Sequence, residues 1–224
     1  MIPISVVDNF LENPDIVRDF ALKLPYENSQ GHFPGKRSTR IDLADKEFEK
    51  ILSQKMFSLF FDLFKENLSW NIEGSFQLIS ENYEKGWVHN DASPDGWNIA
   101  GVIYLNHNPA PDSGTSFYKC KENVNLDRID LAEYNKIKHR FYGGEDVDLV
   151  EYRAKRDYLN SLFNRTMMVQ NVFNRLLIYS TDELHSADNF FGKSNDDSRL
   201  TFMFHAKIIS RSFGPLQRSK QFII

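Results

Sequence analysis

The chain has 224 residues, 41% hydrophobic, 14% aromatic and 26% charged, with a formal net charge of -4, a composition that excludes collagen-like, coiled-coil and disordered classes. The acidic balance argues against a nucleic-acid partner held by phosphate neutralisation. The single cysteine, Cys120, excludes an internal disulfide and any cysteine-built zinc or iron–sulfur cluster.

Taken in chain order, Met1–Asp15 shows no basic stretch followed by a long apolar run, and no 18-residue apolar run occurs further on. The expectation is a cytoplasmic protein with neither signal peptide nor membrane partner. Asn13-Pro14-Asp15 supplies a cap, a proline suited to the first helical position and an acid for the first turn, which predicts a helix from Pro14 to about Leu24. A polar loop follows over 28–40. Phe48, Ile51, Leu52, Met56, Leu59, Phe60 and Leu63 then recur at spacings of three and four, the mark of an amphipathic helix. The aromatic stripe Phe57, Phe60, Phe61 and Phe64 is read as core.

From Ile72 the pattern changes to short β-branched and aromatic segments, predicting strands near 74–80, 86–91, 97–106, 114–119, 166–173, 175–180 and 198–209. Residues 125–164 interrupt them as a charged helical insertion broken at Gly143-Gly144. The coarse architecture is one domain, with two N-terminal helices packed on a β-sandwich.

The chemistry concentrates in the strands. In Trp87-Val88-His89-Asn90-Asp91, strand alternation sets His89 and Asp91 on one face, where imidazole and carboxylate can reach a common metal. The apolar run Leu176–Ser180 ends in a turn with His185 at its exit. Two histidines and one carboxylate form the ligand set of non-heme Fe(II) oxygenases, and zinc accepts the same three. In Ser198–Phe204 the odd positions Arg199, Thr201 and Met203 share a face. An arginine on an inner face needs an anion, supplied by a dicarboxylate cosubstrate or, alternatively, by a structural salt bridge. Strand 98–106 sets Tyr104 on a wall of small residues, read as a polar contact point in a pocket.

In this order the residues resemble the prolyl-4-hydroxylase-like Fe(II)/2-oxoglutarate-dependent dioxygenases. The resemblance covers about 74–209: Tyr83 to Gly86 before the His-x-Asp motif, the strand Val102–Asn106, the Gly-initiated strand Gly114–Phe117, His185 and the Arg199 strand. Asp8-Asn9-Phe10-Leu11 with the following helix also looks like the N-terminal approach of several small members. The resemblance implies a mainly β fold, with a double-stranded β-helix (jelly-roll, cupin-like) core at 74–209, N-terminal helical support over 1–70 and the insertion. It implies that His89, Asp91 and His185 bind Fe(II), that Arg199 holds the far carboxylate of 2-oxoglutarate, and that Tyr104 and Thr201 support it. The implied reaction uses O2, hydroxylates a C–H bond of a small-molecule or peptide substrate, and releases succinate and CO2; ascorbate is an expected stimulant. The segment from Asp188 to Asp197 must then bulge as a loop.

Gln77, Trp97, Arg37 and Arg40 are the expected substrate-side residues, with a solvated loop the alternative for the two arginines. His32, His107 and His139 read as surface and His205 as core or rim. A non-catalytic metal-binding jelly-roll module and a cupin-like zinc hydrolase are the competing functions. The sequence leaves the oligomeric state open.

Overall fold

A computed structural model describes residues 3–63, 68–93 and 96–209, with the side chain of Asp127 left aside. The strands are β1 (Ser5–Val7), β2 (Tyr26–Asn28), β3 (Lys36–Ser38), β4 (Trp70–Ile79), β5 (Ile99–Tyr104), β6 (Thr115–Cys120), β7 (Phe163–Val169), β8 (Leu176–Ser180), β9 (His185–Ala187) and β10 (Arg199–Ile208). The α-helices are α1 (Pro14–Lys23), α2 (Ile41–Ala44), α3 (Lys46–Ser58), α4 (Leu131–Tyr142) and α5 (Leu149–Ser161). A seven-stranded sheet in the order β1-β8-β5-β10-β4-β3-β2 faces a three-stranded sheet in the order β7-β6-β9. The described strand pairs are antiparallel.

Alternation explains how one sheet serves two layers. On β10, Leu200, Phe202, Phe204 and Ala206 enter the larger core with Ile72, Phe76 and Leu78 of β4 and Ile99 and Ile103 of β5. The N-terminal helices close that core: Phe20 meets Phe76 edge-on at 6.1 Å, and Phe57 lies 4.9 Å from Trp70. Phe57, Phe60 and Phe61 are buried as expected, whereas Phe64 lies outside the described residues. On the opposite face Ala100, Tyr104, Leu177 and Tyr179 pack with Phe117 and Val169 of the smaller sheet. β8 therefore has all five residues buried.

The helix ends follow their capping chemistry. Asp45, Asp130 and Asp148 accept first-turn amides of α3, α4 and α5. Asn13 stands at the cap of α1 without a side-chain bond, and Pro14 alone sets the first turn. The helical insertion covers Trp87 and Val88 with Ile137, Tyr142, Tyr152 and Leu159. Among the described residues no helix is long and apolar enough to cross a membrane.

Three readings are corrected. The 28–40 loop instead contains a hairpin, with Tyr26 opposite Ser38 and Arg37 opposite both Glu27 and Gln77. Gly31 and Gly35, at φ of 106° and 75°, make the reversal that brings β3 onto the sheet edge. The 86–91 strand is an extended segment with one ladder rung, His89 to His185. Its other backbone bonds, Gly86 N–H to Ala187 O and Asp91 N–H to Thr181 O at 2.9 Å each, are too irregularly spaced for a strand. β7 begins at Phe163, earlier than expected, because Cys120 and Phe163 already pair. The segment between β9 and β10 loops out, as expected.

Candidate metal centre

The backbone rung fixes the first two imidazoles. His89 N–H donates to His185 O at 3.0 Å, and His185 N–H donates to His89 O at 2.8 Å, which brings the ring centroids to 4.5 Å. Each Nδ1 then meets the carbonyl two residues earlier, His89 that of Trp87 at 2.8 Å and His185 that of Glu183 at 2.9 Å. A carbonyl only accepts, so each Nδ1 carries the proton and each Nε2 presents a lone pair. Asp91 closes the set: Oδ1 lies 3.6 Å from His89 Nε2 and Oδ2 lies 3.4 Å from His185 Nε2. Among the described residues His89, Asp91 and His185 form a metal-capable group, with ligand atoms within 4.8 Å of one another.

The electrostatics keep this set ready for a cation. Burial, with His89 nearby, pushes the pKa of His185 down to about 4, so its ring is neutral near pH 7. Burial alone would raise the Asp91 carboxyl, but the hydrogen bond from His205 and the imidazoles of His185 and His89 beside it hold it well below the usual range. Three donors of this kind suit a divalent transition metal, with one face left to other ligands.

The triad opens on a cavity of about 330 Å³ between the sheets. Strand register builds its wall: Arg37, Gln77 and Thr201 stand side by side on β3, β4 and β10, and Tyr104, next in register on β5, lies behind the lining in the core. Arg199 lines the same cavity, buried, with Nε donating to Ser113 O at 3.2 Å. Its guanidinium carbon lies 5.5 Å from the Tyr104 ring and 5.9 Å from that of Phe190. Among the described residues no carboxylate forms an ion pair with it; burial lowers its pKa, offset by Tyr104 and Asp188. Thr201 Oγ1 is buried without a hydrogen-bond partner. A buried cation beside an orphaned hydroxyl fits a carboxylate, and the residues present therefore suit a dicarboxylate that also reaches the triad.

The other expected residues divide. Tyr104 is fully buried, and its hydroxyl donates to Thr115 Oγ1 at 2.8 Å. It therefore braces the arginine pocket through its ring. Gln77 lines the cavity, and its Nε2 donates to Pro34 O at 2.8 Å. Arg37 lines it too, because the hairpin pulls it off the solvated surface. Arg40 does not: Asp42 and Glu73 hold it outside at 2.9 and 2.6 Å. Trp97 is also absent from the lining, and its carbonyl accepts from Thr181 Oγ1. His107 is tied to Asp15 at 2.9 Å, and His32 and His139 stack edge-on, with His32 at the cavity mouth. His205 is the residue the sequence reading misses: its Nε2 lies 3.4 Å from Asp91 Oδ2. The signal was its parity with Arg199, Thr201 and Met203 on β10. Tyr179 is a second, its hydroxyl 3.1 Å from His185 Nε2.

Comparison with known proteins agrees with this picture. A family model described as a family of unknown function (DUF6445) matches residues 2–203. No curated protein matches the chain. A Pseudomonas putida prolyl-4-hydroxylase is similar in structure, with a TM-score of 0.50 and 17% identity over 91% of each chain. HygX from Streptomyces hygroscopicus, with nickel and 2-oxoglutarate bound, gives 0.55 and 13% over 90% of this chain and 82% of that one. A 2OG-Fe(II) oxygenase-family oxidoreductase from Burkholderia pseudomallei gives 0.51 and 9% over 91% and 84%. The fold is that of these oxygenases.

Proposed function

Since the chain belongs to DUF6445, a family whose description names no activity, its reaction has to be read from its site, and we propose an Fe(II)- and 2-oxoglutarate-dependent oxygenase. In this reading it hydroxylates a C–H bond of a small-molecule or peptide substrate, with succinate and CO2 as co-products. One observation carries the reading: a converging His89-Asp91-His185 set shares a cavity with a buried arginine that forms no ion pair among the described residues. A zinc hydrolase needs no anchor for a dicarboxylate cosubstrate.

His89, Asp91 and His185 would hold the metal, and Arg199 with Thr201 the far carboxylate of 2-oxoglutarate. Bound there, ferrous ion and 2-oxoglutarate supply oxygen activation, coupling oxidative decarboxylation of the cosubstrate to oxidation of the substrate. The chain's work is placement. The carbonyls of Trp87 and Glu183 lock the imidazole tautomers, and His205 orients Asp91. Phe190 from the cavity wall and Tyr104 from the core behind it flank the Arg199 guanidinium. Ile79, Val102 and Met203 add apolar surface to the lining, which strengthens each charged contact made there.

The test is anaerobic calorimetry with Mn(II) in place of iron. The expected result is one metal per chain, and 2-oxoglutarate binding that requires the metal. Metal-independent binding, or none, would overturn the reading.

A further inference from the structure

The charges around the cavity do not balance once the proposed occupants are in place. Its lining cations are Arg37, Lys138 and Arg199, with Asp91 the only carboxylate in the lining among the described residues. On the oxygenase reading, on which this inference rests, a divalent metal and doubly charged 2-oxoglutarate cancel, and so do Asp91 and Arg199. Arg37 and Lys138 remain, two positive charges facing the space left for substrate.

Neither forms an ion pair among the described residues. Arg37 Nε is buried with no hydrogen-bond partner, and its guanidinium carbon sits 3.9 Å over the Phe33 ring, which fixes the plane of the group. Glu27 stands opposite Arg37 in register but makes no ion pair with it. Burial lowers the pKa of Arg37 to about 10, with Asp91 the charge opposing that shift. Lys138, on α4, enters the cavity half-buried and forms no ion pair among the described residues; burial lowers its pKa too. Arg37 also lines an outer cavity of about 350 Å³, where the other carboxylate besides Glu27 is Glu73, already paired with Arg40. It thus stands between the triad and the outside. Burying an uncompensated guanidinium is costly, and an anion offering two acceptor oxygens offsets that cost.

We propose that Arg37 and Lys138 form an anion subsite in this cavity, and that the substrate is a small molecule bound there through a carboxylate or phosphate. Arg37 is placed to take the anion edge-on from its Phe33 stack, and Lys138 to add a second charge from the helical insertion.

The experiment uses the full chain saturated with Mn(II) and 2-oxoglutarate, so that Arg199 is occupied. Glucose 6-phosphate against glucose, and hexanoate against hexanamide, are titrated by calorimetry and followed by thermal shift. The expected result is binding of a charged member and not its neutral partner, weakened about tenfold or more by Arg37→Met and also by Lys138→Met. Which pair responds separates phosphate from carboxylate. No charged member binding, or binding that both variants leave unchanged, overturns the proposal. Lys138→Met, at a half-buried helix position, remains informative if Arg37→Met folds poorly. A chain that binds 2-oxoglutarate with metal yet shows no anion preference sinks this inference alone. One that fails to bind 2-oxoglutarate sinks the oxygenase reading instead.

Discussion

Replacing Arg199 by methionine separates a cosubstrate anchor from a structural ion. The guanidinium is buried, donates to Ser113 O at 3.2 Å, and forms no ion pair with a described carboxylate. Its cation–π contacts with Tyr104 and Phe190, at 5.5 and 5.9 Å, offset about 1–2 kcal/mol of a desolvation cost that runs to several. Methionine, of similar length and apolar, should therefore leave the melting temperature of the ligand-free protein unchanged or raised. Cosubstrate binding should respond in the opposite way. Removing one partner of a buried charge pair costs about 3–5 kcal/mol, so the Kd for 2-oxoglutarate should rise by about two to three and a half decades at 1.4 kcal/mol per decade. Anaerobic calorimetry on the Mn(II)-loaded protein reads the Kd, and scanning calorimetry reads the stability. A variant that binds 2-oxoglutarate within about threefold of the parent, or that melts many degrees lower without ligand, would refute the reasoning.

Three further outcomes follow from the same structure. His205→Ala frees Asp91 from its 3.4 Å neighbour and should weaken metal binding about 10- to 100-fold, as loss of a group that orients a ligand does; calorimetry with Mn(II) checks it. Asn174, at φ 62°, bonds both Leu11 N–H (2.7 Å) and Leu11 O (2.8 Å), tying the N-terminal segment to the turn before β8. Asn174→Ala should cost about 2–4 kcal/mol, seen as a lower melting temperature with the metal stoichiometry intact. Glu84 joins Arg153 and buried Arg156. Burial raises its carboxyl, but the two arginine hydrogen bonds win and its pKa falls below the unfolded 4.5. The stability it lends is full above pH 4.5 and lost as pH drops through the lower folded value, so Glu84→Gln should flatten the melting temperature between pH 5 and 3 relative to the parent.

Much of the site was legible because its residues obey period-two alternation in one long strand. Arg199, Thr201 and Met203 face the cavity as their parity requires, and the opposite set fills the core. His205 has the same parity, but its distance along the strand from Arg199 argues for the rim; β10 runs the length of the cavity, so the far end still meets Asp91. His89 and Asp91 converge for a different reason than alternation, since one backbone rung to His185 places His89 and a separate bond from Asp91 N–H to Thr181 O places Asp91. The β2–β3 hairpin could not be read from the sequence. Its strands have three residues each, Lys36-Arg37-Ser38 is polar throughout, and its position is decided by pairing with β4 far along the chain. Arg37 consequently looked like a solvated loop residue, and Arg40, only three positions on, is one in fact.

The most direct measurement of the central claim is product formation from labelled 2-oxoglutarate by the purified chain with Fe(II), O2 and ascorbate. The account predicts succinate and CO2 in equal amounts, slow without substrate, requiring both iron and oxygen and abolished by Asp91→Ala. Absence of iron- and oxygen-dependent succinate, or succinate that persists in Asp91→Ala, would contradict it.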